Sequence, residues 1–96
     1  MTLNSYEAMV ILEPNVPDPE VEGLIKSLEG ELVTSGGTIA VREVQGKRPL
    51  AYKIKGHREG IYALLNFQVP SEGVKKLEKK FKLTPQVLRY LLIKNS

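Results

Sequence analysis

The side chains in this sequence that could do chemistry are mostly cationic, and they gather in three places. Lys47, Arg48, Lys53, Lys55 and Arg58 crowd one stretch, with Tyr52 among them. Lys75, Lys76, Lys79, Lys80 and Lys82 crowd a second, and Arg89 and Lys94 continue the series near the end of the chain. Clustered cations interleaved with an aromatic ring neutralise phosphates and offer a flat surface to a base or sugar, which is the chemistry of an RNA surface. For the lysine run at 75–82, a solvated helical face explains the residues nearly as well. That explanation is weaker for the first group, because an edge strand uses lysine against aggregation but rarely needs five basic groups.

Groups suited to catalysis are scarce. The single histidine, His57, lies in a polar stretch that reads as a hairpin loop, and nothing suggests a nucleophile held beside it. Glu20 with Glu22, and Glu29 with Glu31, fall near helix ends or on polar helical surface, where the dipole and solvation account for them. No phosphate-binding loop of the GxxxxGK[ST] or GxGxxG type occurs, and Gly36-Gly37 follows a helical pattern, so it is a cap and not a phosphate cradle. The absence of cysteine excludes disulfides and thiolate metal sites. The expectation is a chain with no catalytic residues, no cofactor, no metal and no small-molecule substrate.

Charge is polarised along the chain. Residues 1–45 hold two basic side chains against eight acidic ones, a net −6, and residues 46–96 hold twelve against three, a net +9. Such a protein suits a polyanion on one side and a basic partner on the other, although two solvated faces would have the same composition. No apolar run approaches the ~20 residues of a membrane span, and the N-terminus does not read as a signal peptide. Cytoplasm is the expected setting, or an organelle stroma. At 96 residues the chain is one domain's worth, 1–96, with 42% apolar residues to fill one core.

The elements that must position these groups can be read from periodicity. Over residues 5–13, Tyr6, Ala8, Val10 and Leu12 alternate with Glu7, Met9, Ile11 and Glu13; apolar residues on both faces suggest an interior strand. Asp18 reads as an N-cap with Pro19 opening a helix, whose stripe is Val21, Leu24, Ile25, Leu28 and Leu32 and which Gly36-Gly37 ends. Residues 38–54 read as one long edge strand, broken once around Gly46 and Pro49, with Ile39, Val41 and Glu43 sharing a face before the break and Leu50, Tyr52 and Ile54 after it. Residues 55–60 read as a hairpin loop, 61–69 as a strand and 87–93 as the last strand. Between those last two strands Ser71 reads as the cap of a helix with Val74, Leu77 and Phe81 inward. The order βαββαβ predicts an α+β, ferredoxin-like fold: a four-stranded antiparallel sheet with both helices on one face.

The same topology belongs to the RNA-recognition motif. Gly60-Ile61-Tyr62-Ala63-Leu64-Leu65-Asn66-Phe67 comes close to its third-strand pattern but inserts Ile61 and lacks the second stacking aromatic. Tyr62 shares its face with Leu64 and Asn66, a poor platform, which makes a module reading single-stranded RNA the minority alternative.

A more specific resemblance runs from about residue 4 to residue 95. Tyr6-Glu7, Leu12-x-Pro14-Asn15, Gly36-Gly37, the segment Gly46-Lys47-Arg48-Pro49-Leu50-Ala51-Tyr52-Lys53-Ile54, Gly60-Ile61-Tyr62, and Val87-Leu88-Arg89 with Lys94 carry it. Together they resemble the bacterial small-subunit ribosomal protein six family. The resemblance implies a ribosomal component that binds the central domain of the small-subunit ribosomal RNA as a heterodimer with small-subunit ribosomal protein eighteen. It further implies RNA contacts at Tyr6, Arg48, Lys82, Arg89 and Lys94. Arg48, Leu50 and Tyr52 would serve the partner or the junction of partner and RNA. Two departures stand out: family members often have proline where this chain has Lys53, and many carry a C-terminal tail that is absent after Ser96, so contacts of such a tail are not carried over.

Overall fold

The computed structural model describes residues 3–95. Its elements are strand β1 (Asn4–Leu12), helix α1 (Asp18–Thr34), strands β2 (Thr38–Ile54) and β3 (His57–Val69), helix α2 (Ser71–Leu83) and strand β4 (Val87–Asn95). They form one four-stranded sheet in the order β2-β3-β1-β4 with every pairing antiparallel, so the expected ferredoxin-like arrangement is borne out.

The alternation in β1 sends Tyr6, Ala8, Val10 and Leu12 into one core with the α1 stripe Val21, Ile25, Leu28 and Leu32, and with Leu77 and Phe81 of α2. β1 is interior, as expected, paired with β3 on one side and β4 on the other. Its second apolar face has no second layer and is covered only in part, by the end of β2: Ile11 is buried there and Met9 half-buried.

Both helix starts differ from the expectation. Pro17 and Pro70, each extended with φ near −60° and ψ near 150°, hold the N-cap positions, and neither helix has a side-chain cap. The carbonyl of Pro17 accepts from the amides of Glu20 and Val21 at 2.9 and 3.0 Å, and that of Pro70 accepts from Gly73 at 2.9 Å. Asp18 and Ser71 are therefore first helical residues. Asp18 acts as a negative charge in the first turn, where the dipole favours it.

The long β2 lies at the sheet edge as expected, but its pairing with β3 shifts three times, not once. The first shift falls between Ile39, opposite Phe67, and Val41, opposite Asn66. Ala40 is thus an extra residue that turns Ile39 toward the core and Val41 to the open face, so those two do not share a side. The second is at Gly46, whose φ of +90° suits a residue without a side chain. The third releases residues between Pro49 and Ile54 from regular pairing.

The expected loop at 55–60 is only a two-residue turn, Lys55-Gly56, both with positive φ. That backbone matches the twist of a tight hairpin, so β3 begins at His57 and the polar residues 57–60 are strand. His57 Nε2 lies 3.3 Å from Glu13 Oε2, and so faces a carboxylate instead of open solvent.

α2 is fixed to β4 by Phe81 and Tyr90, whose rings lie 4.7 Å apart, and by the Tyr90 hydroxyl, which donates to Glu78 at 3.3 Å. Burial, then the Glu78 charge, then this hydrogen bond raise the Tyr90 pKa above its ordinary 10.0. The folded state therefore holds the phenolic proton more tightly than the unfolded chain does. The resulting stability is complete below pH 10 and is lost as pH rises through the raised folded value. Thermal melts of Tyr90→Phe against the parent should show a shallower alkaline loss in the variant; parallel losses above pH 10 would remove Tyr90 as a cause.

Candidate nucleic-acid and partner interface

The open face of the sheet, opposite the helices, carries the residues singled out above. The segment released from pairing at the end of β2 folds across this face. Leu50, Tyr52 and Ile54 meet Met9 and Ile11 of β1, Tyr62 of β3, and Arg89 and Leu91 of β4 around one shallow apolar depression. Leu91 is about half exposed there, at 50%, and Ile93, farther along β4, is exposed to 52%.

Two arginines border this depression, each over a tyrosine. The Arg89 guanidinium lies 5.9 Å from the centre of the Tyr52 ring and donates to the Tyr52 hydroxyl. Arg48 lies 5.9 Å from the centre of the Tyr62 ring. Arg48 is within reach of the Tyr62 ring quadrupole; Arg89 meets Tyr52 at the hydroxyl, which fixes one arm of its guanidinium and leaves the other N–H groups available to phosphate. Tyr52 is 59% exposed, so the Arg89–Tyr52 pair stands at the surface.

Arg89 also reaches a second feature. Lys55 at the hairpin turn, Lys82 and Thr84 at the end of α2, and Leu88 and Arg89 on β4 line a groove beside the depression. Arg89 therefore belongs to both, an apolar surface on one side and a cationic groove on the other.

Tyr6 and Lys94 lie elsewhere. They face each other across the β1–β4 pairing on the helix side of the sheet. Arg89 and Lys94 are five residues apart on one strand, roughly 17 Å. Lys94 is exposed, but the Tyr6 ring is only 7% exposed and stacks on Phe67 at 5.7 Å, so it offers no face to a base. The acidic half has its own tie: Arg42 on β2 pairs with Glu22 and, at 3.4 Å, with Glu29, both on α1.

Tyr62 is the residue the sequence undervalued. It looked like a poor platform for bases, yet it is the platform for Arg48. The pairing of Gly46 with Tyr62, two residues from Arg48, was hidden by the register shifts of β2.

The family model described as Ribosomal protein S6 matches residues 5–94. The chain belongs to the ribosomal protein S6 family. It is 42% identical to the small ribosomal subunit protein bS6 of Prochlorococcus marinus over 93% of its own length, and spans about half (52%) of that longer relative. It is 41% identical to the bS6 protein of Thermoanaerobacter pseudethanolicus over 96% of this chain and 97% of that one. Its structure is similar to the crystal structure of 30S ribosomal protein S6 from Thermotoga maritima, with a TM-score of 0.92 and 30% identity, covering 98% of this chain and 89% of that one. As a member of the ribosomal protein S6 family it is a structural protein of the small ribosomal subunit, and RNA binding is consistent with that family.

Proposed function

We propose that this chain, acting as one domain, binds the central domain of small-subunit ribosomal RNA together with small-subunit ribosomal protein eighteen. It does so in the cytoplasm or an organelle stroma, without catalysis or cofactor. The observation that carries the reading is the position of Arg89, bonded to the Tyr52 hydroxyl beside the apolar depression and lining the groove with Lys55 and Lys82. An exposed apolar surface suits a protein partner, and a cationic groove suits phosphates. A residue shared by both supports joint binding of protein and RNA. Arg48, Leu50 and Tyr52 belong to the partner side or the junction in this reading, and Lys82, Arg89 and Lys94 to the RNA side. Tyr6 can contribute only through its hydroxyl.

The partner assignment has a direct test. Leu50→Ala and Tyr52→Ala should each weaken capture of the partner protein by about tenfold or more, as expected for anchors at the centre of an interface. Melting temperatures should change little, because Leu50 is half-buried and Tyr52 is exposed, and neither belongs to the core cluster. Unchanged capture with a large drop in melting temperature would make these residues structural and refute the assignment. In a companion titration, the chain and partner together should bind the folded RNA far more tightly than the chain alone. Tight, partner-independent capture of an arbitrary single strand would favour the RNA-recognition-motif alternative.

A further inference from the structure

Thr84 lines two grooves. One is the groove of Lys55, Lys82 and Arg89; the other runs between the helices, lined by Ser27 and Glu31 of α1 and by Lys76, Lys79, Lys80 and Leu83. The basic surface is therefore continuous around the C-terminal end of α2, from the strand side to the outer face of the two helices. We propose that the RNA footprint follows this surface. In this inference, which rests on the RNA reading above, Lys76, Lys79 and Lys80 hold phosphates of the same RNA in the inter-helix groove without reading its sequence.

The spacing of charge on α2 supports a ligand over plain solvation. Lys75 with Lys79 and Lys76 with Lys80 are four residues apart, and Lys76 with Lys79 and Lys79 with Lys82 are three apart. Like charges at these spacings repel across a helix surface and destabilise it. Glu72 stands four residues before Lys76 and Glu78 four before Lys82, but Glu78 also accepts from Tyr90, and Lys79 and Lys80 have no carboxylate three or four residues away on the helix. Lys80 and Lys82 gain something from the helix dipole, being in the last turn; Lys75, Lys76 and Lys79 are not in that turn. Among the described residues, no α2 lysine forms an ion pair, not even with Glu31, which lines the same groove. α1 differs: two of its carboxylates, Glu22 and Glu29, are engaged by Arg42. A polyanion laid along α2, roughly 20 Å long, would convert this repulsion into attraction at several points at once.

The test is a salt titration of binding to the central domain of small-subunit ribosomal RNA in the presence of the partner protein. It compares the parent, Arg89→Gln, a triple variant combining Lys76→Gln, Lys79→Gln and Lys80→Gln, and the matching triple variant to arginine. The glutamine triple should lower the slope of log affinity against log salt by about two and the affinity by about a hundredfold near 0.1 M salt; the arginine triple should keep the slope. Parental behaviour of the glutamine triple, with a loss in Arg89→Gln, overturns the extended footprint and leaves the RNA reading standing. Parental behaviour of both overturns the RNA reading and the extension together. A glutamine triple that loses affinity with an unchanged slope also overturns the extension, since its lysines would then not meet phosphate.

Discussion

Gly60→Val should be strongly destabilising. A Cβ at residue 60 would lie 2.6 Å from the Ile11 side chain and 2.9 Å from the Leu12 carbonyl oxygen. The oxygen is backbone in the central strand, so it cannot swing away, and β3 would have to part from β1 where Leu12 pairs with Ile61. Overpacking of this kind costs about 3 kcal/mol, out of roughly 5–15 for a whole domain. A fall in melting temperature of about 10–20 °C is expected for a chain of this size. The control is Gly30→Ala on the exposed surface of α1, where a Cβ would meet nothing within 4 Å. There the lower backbone entropy of alanine should raise stability by roughly 0.5–1 kcal/mol. Melts of the two variants decide the matter: equal behaviour would mean the close approach at Gly60 is not maintained in solution.

Arg89→Gln should weaken RNA binding by roughly tenfold near 0.1 M salt and reduce the salt slope by about 0.7–0.9, the value of one phosphate contact. Arg89→Lys should keep the slope but not the full affinity, because lysine lacks the planar fork that can bond the Tyr52 hydroxyl and a phosphate together. Lys26→Gln should change neither quantity; Lys26 is exposed on α1, in the acidic half of the chain. Filter binding across a salt series measures all three. Equal losses at Arg89 and Lys26 would show that binding follows net charge and not a defined surface.

How much of this was legible from the sequence depended on the range of the interaction. The α1 stripe and the β1 alternation repeat within a few residues, and both reached the core as read. Gly46 and Pro49 correctly marked β2 as an irregular edge, since each weakens regular pairing by itself. The bulge at Ala40 had no such marker, and without it Ile39 and Val41 looked like residues of one face. Asp18 and Ser71 are good capping types, but each stands just after a proline whose extended backbone and free carbonyl already start the helix. Residues 57–60 looked like loop because Arg58 and Glu59 are both exposed and Gly60, though buried, has no side chain to complete an alternation. Of the candidate site, the residue types were visible but the contacts were not: Arg89 and Tyr52 are 37 residues apart. Only the sheet order, with β2's last segment folded across β3 and β1, brings them together.

The sheet order also sets a timetable for synthesis. β1 is the first strand to leave the ribosome, yet its neighbours are β3, some fifty residues later, and β4, whose Asn95 pairs with Ser5. At roughly 5–20 residues per second, β1 waits on the order of 4–16 s before its second edge can close. Until β3 emerges Val10 and Leu12 have neither strand partner, and α1 is the only early element able to shelter them. The nascent chain should therefore be most vulnerable to aggregation and most attractive to chaperones before β4 emerges. A protein that this fold equips for assembly into a ribosome thus depends, for its own last pairing, on the pace at which a ribosome releases it.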